Sequence, residues 1–365
     1  MKINRENFLN KLNAVKAGLS PREFIEQSSC LVFQDSAVMT FNDEVACRMD
    51  IGLDITGAIQ ATTLFAILEK MDDEELLVRE NDKGELEFRG KRKGFGVTKD
   101  AEIFLPIDRV EIPKKWAELP KAFVEGIGLV HHCVSQDESR FLLTCIHLTP
   151  HLIEACDNLQ VMRCKVETGL RESVLVRGTS LVHITQLGMD QFALTEAWIH
   201  FKNTEGLIFS CRRYSEEYPS LDDIIKFEGR PITIPKSLKD ASDRAAIFAA
   251  DKAGDPLVSV SLSNGVIRIL GEGLTGWYKE VKKVNWEGPP MEFNIAPDLL
   301  KHISEKYDEA QLVGDKLKVV GGSWEYVTVL GRPQDPGEEE AAASTEDDEE
   351  EEKPKRKKKV EDPDE

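Results

Sequence analysis

Three kinds of reactive side chain stand together near the middle of the chain. Cys133 directly follows His131 and His132, and Asp137 lies four residues further on. A thiol, an imidazole and a carboxylate are groups that nucleophilic catalysis uses. Adjacent residues on one helix point in different directions, and no glycine-rich oxyanion loop, nucleophile elbow, P-loop or dinucleotide fingerprint is present. We therefore expect a protein that is not an enzyme and has no cofactor.

The remaining cysteines and histidines do not indicate a metal site. The seven cysteines contain no CxxC pair, and no His-x-x-x-His pair or acidic cluster stands near the two adjacent histidines. An odd, scattered set of cysteines is typical of reduced thiols. No apolar segment resembles a secretory leader or has transmembrane length. These features predict a cytoplasmic protein without membrane contact and without a bound metal.

The chain is strongly acidic, and its charge is unevenly distributed. The formal net charge is −19, of which residues 333–365 carry −9 and residues 1–332 carry −10. An acidic chain is not a simple nucleic-acid-binding protein. It can still bind nucleic acid if its basic side chains are gathered on one surface. The elements that position the basic residues therefore decide the interpretation.

One amphipathic helix recurs three times along the chain. The segments are ATTLFAILEKM at 61–71, RGTSLVHITQL at 177–187 and PDLLKHISEKY at 297–307. In the first segment, apolar residues recur at i, i+3, i+4 and i+7, the spacing of one apolar helix face. Overlaying Leu64, Leu181 and Leu299 gives steps of 117 and 118 residues. This spacing predicts three related units that each contain the helix.

A second set of segments repeats at nearly the same interval. Each unit opens with another predicted helix, at 5–17, 119–133 and 235–250. Leu9, Phe123 and Leu238 overlay with steps of 114 and 115 residues. Alternating apolar residues and turn signals follow the helices, as in antiparallel strands. The interval is too long for a solenoid repeat and fits a small domain.

Proline and charged residues mark the domain boundaries, near 105–116 and 224–233. We predict an α+β fold in which each domain packs two helices on antiparallel sheet. The predicted domains are residues 1–111, 112–228 and 229–332. Residues 333–365 have almost no apolar side chain and are predicted to form a disordered acidic and basic tail.

The repeated units carry a resemblance to a known family. A chain that begins MKINRENFLNKL and contains YPSLDDII, RAAIFAADKAG and MEFNIAPDLL resembles the bacterial DNA polymerase III beta subunit, the DNA sliding clamp. The resemblance covers essentially residues 1–332, and the third unit matches best. It implies the DNA-clamp fold, in which two chains join head to tail as a six-domain ring. The repeated helices would line a hole that holds duplex DNA.

The resemblance also implies a function without chemistry. A sliding clamp is a processivity factor that encircles double-stranded DNA and tethers the replicative DNA polymerase, and a clamp loader places it there. The implied location is the replication fork, in the nucleoid of the cytoplasm. A repeat-built protein-interaction scaffold that does not encircle DNA remains the alternative. Closure of two chains into a ring distinguishes the two hypotheses.

The charge of the predicted helices is consistent with a DNA-lined hole. The six helix segments together carry +4, whereas the rest of residues 1–332 carries −14. Contacts from these helices would reach phosphate and would not depend on base sequence. The candidate helix residues are Lys11, Lys16, Lys70, Lys121, Arg177, Lys236, Lys239, Lys301 and Lys306. The resemblance adds the loop residues Arg22, Gln136, Arg140 and Phe141.

The family docks its protein partners in a peptide groove between the second and third domains. The matching positions are Leu143, Cys156, Asn158, Leu159, Gln160, Val161, Pro219, Asp223, Ile224, Asn294, Pro297, Val329 and Leu330. Apolar members would hold the anchors of a partner segment, and polar members would orient its backbone. Asp223 stands where the family has arginine, and Pro297 stands where it has tyrosine. A groove with an unusual partner motif is therefore expected.

The ring would close where the first domain of one chain meets the third domain of the other. The run FRGKRKG at 88–94 is a basic edge, although such edges also protect strands from aggregation. The predicted interface residues are Arg89, Lys91, Arg92 and Lys93 on one side and Ile247, Phe248, Glu272 and Glu280 on the other. Ile247 and Phe248 overlay an apolar contact of the family, and the charged residues would pair across the seam.

The tail contains one basic run, KPKRKKKVEDP, with three possible roles. It resembles a nuclear import signal, which would apply only in a eukaryotic host. It could equally be a lysine cluster that binds DNA, or one that binds its own acidic neighbours. The tail would begin beside the implied peptide groove.

Overall fold

A computed structural model of the chain describes residues 1–233, 238–250, 256–284, 286, 288–306 and 309–330. The predicted disordered tail and the candidate DNA-binding residue Lys236 lie outside these residues. The side chain of Lys306 is likewise outside the described part, although its backbone is within it.

The helices follow the predicted repeat. The first and third units each have two long helices. They are α1 (Arg5–Ala14), α2 (Ala61–Lys70), α3 (Lys121–Val130), α4 (Gly178–Leu181), α5 (Asp222–Ile225), α6 (Leu238–Ala249) and α7 (Pro297–Lys306). The side chain of Asn4 caps α1 by accepting a hydrogen bond from the Asn7 N–H at 2.9 Å.

The strands come in three sets of equal size within the described residues. The first unit has β1 (Lys2–Asn4), β2 (Cys30–Gln34), β3 (Ala37–Phe41), β4 (Val45–Asp50), β5 (Gly57–Gln60), β6 (Glu75–Glu80), β7 (Leu86–Arg89) and β8 (Gly94–Val97). The second has β9 (Ala117–Glu118), β10 (Cys145–Leu148), β11 (Leu152–Cys156), β12 (Gln160–Lys165), β13 (Val174–Arg177), β14 (Gln191–Leu194), β15 (Trp198–Lys202) and β16 (Ile208–Tyr214). The third has β17 (Arg230–Thr233), β18 (Val258–Ser263), β19 (Val266–Gly273), β20 (Gly276–Lys283), β21 (Met291–Ile295), β22 (Glu309–Val313), β23 (Lys316–Val320) and β24 (Trp324–Val329).

Each unit arranges its strands as two antiparallel sheets with the same order. In the first unit the orders are β1-β6-β7-β8 and β5-β2-β3-β4. The second unit has β9-β14-β15-β16 and β13-β10-β11-β12, and the third has β17-β22-β23-β24 and β21-β18-β19-β20. The predicted α+β class with three repeated units is therefore confirmed.

Two seams join neighbouring units through backbone ladders. The last strand of the second unit, β16, pairs with β4 of the first, for example Ser210 with Ala46. The last strand of the third unit, β24, pairs with β12 of the second, for example Val327 with Val161. Among the described strands, the corresponding edges that stay unpaired are β8 in the first unit and β20 in the third.

The recurring leucine of the predicted helices faces the protein interior. Leu64, Leu181 and Leu299 are all buried in the main hydrophobic core. Phe123 and Leu238 of the opening helices are buried there too, and Leu9 packs partly buried against it. The repeat in sequence therefore records the same apolar contact of helix on sheet in each unit, and it leaves the opposite helix faces exposed to solvent.

The second helix of the middle unit is shorter than predicted. We expected a helix through residue 187, but α4 ends at Leu181 and continues as a 3-10 turn, Val182–Thr185. Val182, Ile184 and Thr185 are β-branched and have low helix propensity. Gly188, with φ of +61°, then ends the segment. Arg177, predicted on this helix, belongs to β13 instead.

Candidate peptide groove and nucleic-acid interface

A small hydrophobic cluster lies under the seam of the second and third units. Val161 from β12 and Val327 from β24 are buried in it, as cross-strand partners. The segment that connects the two units adds Tyr218, Leu221 and Ile225, all buried. Sequence reasoning missed these three, although the apolar spacing of YPSLDDII was a usable signal. The cluster forms a floor on which a surface groove can be built.

Tyr218 is held in one position within this floor. The Cys156 N–H donates a hydrogen bond to the Tyr218 hydroxyl oxygen at 3.1 Å. The Tyr218 ring stacks on the His147 ring with centroids 4.9 Å apart. Burial raises the pKa of the Tyr218 phenol, so it stays neutral at physiological pH. Its role is to shape the cavity above it.

An open cavity of about 590 Å³ lies over the cluster. Two segments line it, residues 139–143 and residues 217–220. They bring Leu143 and Pro219, two predicted groove residues, to one site. They also place Arg140 and Phe141, which we predicted as DNA contacts, in the same cavity. A concave, partly apolar site of this size is typical of ligand and peptide binding.

The rim at the seam carries further predicted groove residues. Leu159 is 56% exposed, and its carbonyl oxygen accepts a hydrogen bond from the Val329 N–H at 2.8 Å. Ile224 and Asp223 are exposed on α5. Exposed aliphatic side chains at a fixed seam are suitable anchors for an apolar partner segment.

Other predicted groove residues serve the protein interior. Gln160 is buried, accepts a hydrogen bond from the Tyr326 hydroxyl at 2.9 Å and donates one to the His132 carbonyl oxygen at 3.1 Å. Pro297 is buried at the start of α7, where its carbonyl oxygen accepts from Ser242 at 2.9 Å. Asn294 is exposed on β21, in the other sheet of the third unit. Cys156 is buried, and Leu330 packs partly buried against the main core.

Buried charges fix α5, which follows the cavity-lining residues 217–220, to the second and third units. The Arg163 guanidinium donates to Glu154 at 2.6 Å and to Asp222 of α5 at 2.8 Å. The Lys318 ammonium group, from the third unit, donates to the Ile225 carbonyl oxygen at the end of α5 at 2.8 Å. Arg163, Glu154 and Lys318 are buried, and each has an opposite charge or a carbonyl in reach. Buried charges require such partners.

The candidate DNA contacts on helices and loops are mostly at the surface. Lys16, Arg22, Lys70, Lys121 and Gln136 are exposed. Lys16 lies just after α1, in a 3-10 turn, with its ammonium 5.4 Å from the Phe65 ring centroid. Lys11 is half-buried and donates to the Asp50 carbonyl oxygen at 2.9 Å. On α6 and α7, Lys239 and Lys301 are half-buried, and Lys301 pairs with Asp243 at 3.0 Å.

The remaining candidates near the groove are engaged with one another. The Arg177 guanidinium pairs with Glu138 at 2.6 Å and lies 5.0 Å from the centroid of the Phe141 ring. Phe141 in turn packs edge-on against Tyr214 at 4.6 Å. Arg140 donates a hydrogen bond to the Asn158 side-chain oxygen, next to Leu159. The structure therefore places Arg140, Phe141 and Arg177 beside the groove and not on a helix face.

The basic edge of the first unit is largely paired within its own domain. Arg89 contacts Glu87 at 2.6 Å, and Lys93 contacts Asp72 at 2.6 Å. The Lys91 N–H donates to Asp73 at 2.9 Å. Arg92 is exposed next to them. Surface pairs of this kind are weak and can exchange partners.

The third unit presents an apolar patch on and beside its free edge strand. Ile247 is 69% exposed on α6, and Phe248 is half-buried next to Gly276. Leu274, in the turn before β20, is 88% exposed, and Trp277, near the start of β20, is 65% exposed. Sequence reasoning missed Leu274 and Trp277, although a large apolar residue in the turn before an alternating strand was a signal. An exposed patch of this kind marks an interaction surface.

The predicted acidic partners on this unit have different surroundings. Glu272 is exposed at the end of β19. Partial burial raises the pKa of Glu280, but hydrogen bonds from Lys282, Tyr278 and Arg244 outweigh it and lower the pKa to about 2. Glu280 is thus bound to its own domain, so the apolar patch is the main feature of this edge.

The cluster of histidine and cysteine at residues 131–133 is not arranged for catalysis. Cys133 is fully buried, and burial raises the pKa of its thiol well above the usual value. Burial and the neighbouring His131 lower the pKa of His132 to about 3. The two imidazole centroids are 3.8 Å apart. Within the described residues, no group of three or more metal-ligating side chains comes together.

The described part of the chain contains no helix that is both long and apolar enough to span a membrane.

The fold is similar to solved structures of one family. The DNA polymerase III beta chain of Streptococcus pneumoniae superposes with a TM-score of 0.69 at 17% identity, over 91% of this chain and 99% of that one. With the same coverage, the Bacillus subtilis DNA polymerase sliding clamp gives 0.67 at 17% identity. The DNA polymerase III subunit beta of Pseudomonas aeruginosa gives 0.64 at 16%, again over 91% and 99%.

No family model matches the sequence, and no curated protein does. At this low identity the structural similarity establishes the fold, which over nearly the whole chain is that of the sliding clamps.

Proposed function

We propose that this chain is a DNA sliding clamp, a ring-shaped processivity factor that encircles duplex DNA and tethers a DNA polymerase. The observation that carries the proposal is the threefold repeat with two closed seams and two matching free edges. The similarity of fold to sliding clamps over 91% of the chain supports it. A ring needs only to bind and enclose, so the function requires no catalytic group.

The free edges suggest how the ring closes. Inside the chain, the joined strands are β4 with β16 and β12 with β24. The strands at the corresponding positions that remain are β20 of the third unit and β8 of the first. Two chains joined head to tail through these strands would form a closed homodimer of six units. The apolar patch at Ile247, Leu274 and Trp277 would then be covered by the partner chain.

The alternative is a scaffold built from repeats that does not enclose DNA. Both proteins could bind DNA, but only a closed ring is held by topology. The chain would be loaded by a clamp loader onto a nicked circular plasmid, which a ring cannot leave by sliding. We expect the loaded protein to stay through gel filtration and to dissociate after a restriction enzyme linearises the plasmid. Equal loss from circular and linear DNA would contradict encirclement.

The proposed DNA contacts are sequence-independent and electrostatic. Lys16, in the turn after α1, and Arg22, in the loop before β2, are both exposed. Changing both to Glu should weaken binding to every duplex alike. Each lost phosphate contact should reduce the slope of log K against log salt by about 0.9. Fluorescence anisotropy at several salt concentrations, with duplexes of unrelated sequence, measures both effects.

Lys114→Glu combined with Arg171→Glu is the matched control for this pair, because both are exposed basic residues outside the proposed contacts and the double change alters the net charge equally. It should change the net charge without removing a proposed contact. A loss confined to one duplex sequence would indicate base recognition and would argue against a sliding ring.

The groove at the seam of the second and third units is the proposed docking site for polymerase and clamp loader. Leu143, Pro219, Leu159, Ile224 and Val329 would receive two or three large apolar side chains of a partner segment. We propose that the protein functions at the replication fork, in the cytoplasm.

A further inference from the structure

The two seams inside the chain are built from equivalent strands, which allows a residue-by-residue comparison. Arg48 of β4 and Arg163 of β12 are 115 residues apart, the interval of the repeat. Their cross-strand neighbours Met39 and Glu154 are also 115 residues apart. The two arginines therefore occupy the same position in their units.

The surroundings of Arg163 show which groups pair with an arginine at this position. On one side Arg163 faces Glu154, and on the other it faces Glu325 of the third unit. Its guanidinium donates to Glu154 and to Asp222 of the connecting segment. An acidic neighbourhood thus balances a buried guanidinium.

Arg48 has the same place, but both of its cross-strand neighbours are apolar. It faces Met39 on one side and Ile208 of the second unit on the other. Its Nη1 lies 3.1 Å from the Met39 sulfur, a weak acceptor. Across the described residues, Arg48 has no carboxylate within 4.0 Å, although it is half-buried. The Arg48 guanidinium therefore keeps N–H donors without a carboxylate partner, whereas Arg163 donates to two carboxylates, Glu154 and Asp222.

A cavity lies beside Arg48 where Arg163 has its acidic cross-strand neighbours. About 230 Å³ of space lies between the turn of β2 and β3, the seam and the connecting segment. Met39, Arg48 and Ile208 line it, and Ile107, Val110 and Ile112 of the connecting segment form an apolar cover. The space has the size for a compact ligand with one apolar branch, and its one lining cation is Arg48.

The other polar groups of the lining restrict the kind of ligand. His200 is fully buried, its two ring nitrogens contact Ser210 at 2.8 Å and Thr195 at 3.0 Å, and burial lowers its pKa to about 4. It is therefore neutral and adds no positive charge. Asp35 and Asp108 are exposed carboxylates of the lining. They would repel a ligand with several negative charges, such as a nucleotide or a nucleic-acid strand.

We propose that the cavity at the seam of the first and second units binds a compact monocarboxylate with a branched apolar body, whose carboxylate pairs with Arg48. The ligand's carboxylate replaces the acids that Arg163 finds in its own unit. Its apolar body packs between Met39, Ile208 and the connecting segment. This site is separate from the groove and the DNA-facing helices, so it does not depend on the proposed function.

The experiment uses the full chain and three probes: 3-methylbutanoate, its neutral amide 3-methylbutanamide, and inorganic phosphate. Ligand-detected NMR titration measures their affinities. We expect saturable binding of the acid, with the amide and phosphate at least tenfold weaker. Arg48→Gln should weaken the acid at least tenfold, and Arg109→Gln, an exposed neighbour on the connecting segment, should not.

Two further variants test the charge argument without removing Arg48. Met39→Glu should supply the acid found in the next unit, pair with Arg48 and abolish binding of the probe. Asp108→Asn should tighten binding, because it removes a negative charge from the lining. Unchanged affinity in Arg48→Gln would overturn the proposal. So would equal binding of acid and amide, phosphate binding as tight as that of the acid, or no saturation at millimolar acid.

Discussion

Ile247→Asp combined with Phe248→Asp is expected to convert the protein from dimers to monomers. The wild-type chain should have a mass near twice 41.0 kDa by light scattering at micromolar concentration, and the variant a mass near 41.0 kDa. Ile247 is 69% exposed in the single chain, and the adjacent Phe248 lies against Gly276, which stands between the exposed Leu274 and Trp277 in the sequence. Two carboxylates in an apolar contact would have to be desolvated without partners, which costs several kcal/mol. The variant should also fail to remain on nicked circular DNA.

The matched control places two aspartates elsewhere on the same unit. Val313→Asp with Val320→Asp changes two exposed apolar residues of β22 and β23, which belong to the other sheet. This control should remain dimeric. If the wild-type chain is a monomer at high micromolar concentration, the proposed ring is wrong. If the variant with Asp at positions 247 and 248 remains dimeric, the interface lies elsewhere.

Leu159→Ala combined with Val329→Ala is expected to abolish partner binding at the groove. A fluorescent peptide with leucine and phenylalanine anchors should bind the wild type in the micromolar range. Apolar burial contributes about 25 cal/mol per Å², and the ordering of the peptide offsets much of it. Loss of two aliphatic contacts at the rim should remove most of the net binding free energy that is left. Stimulation of the polymerase should disappear together with peptide binding.

The same variant should keep its dimer and its retention on circular DNA. Leu159 is 56% exposed and Val329 is half-buried, so truncation of both leaves the main core intact. Leu77→Ala with Ile112→Ala, at exposed aliphatic positions in the first unit and in the segment that follows it, is the control for loss of apolar surface. Normal polymerase stimulation by the Leu159 and Val329 variant would move the docking site away from the groove.

The parts of the fold that sequence predicted are those that local periodicity determines. Leu64, Leu181 and Leu299 recur because each helix must bury one face on the same kind of sheet, and all three are buried. Periodicity did not determine helix length. Nothing in the spacing around Leu181 revealed that the helix becomes a 3-10 turn after one α-helical turn. The β-branched residues there were the only local signal.

The site was less predictable because its contacts are distant in sequence. Arg140 and Phe141 were assigned to a DNA-facing loop, yet they line the cavity with Pro219, which lies 79 residues beyond Arg140. The ion pairs that hold α5 join Arg163 to Asp222 across the connecting segment. These contacts form only when the second and third units are joined. The pairing of β12 with β24, which joins them, is not visible in the local sequence pattern.

The two unpaired edge strands have a consequence for assembly. An interface formed by opposite ends of one chain is heterologous, and each added chain presents a fresh edge identical to the one just used. Whether growth stops after two chains therefore depends on the angle that the β4–β16 and β12–β24 seams build into each chain. A substitution that changed this angle by a few degrees could leave both edges and the apolar patch intact. It would then turn closed dimers into helical filaments, a failure that negative-stain electron microscopy would reveal and a simple loss of affinity would not produce.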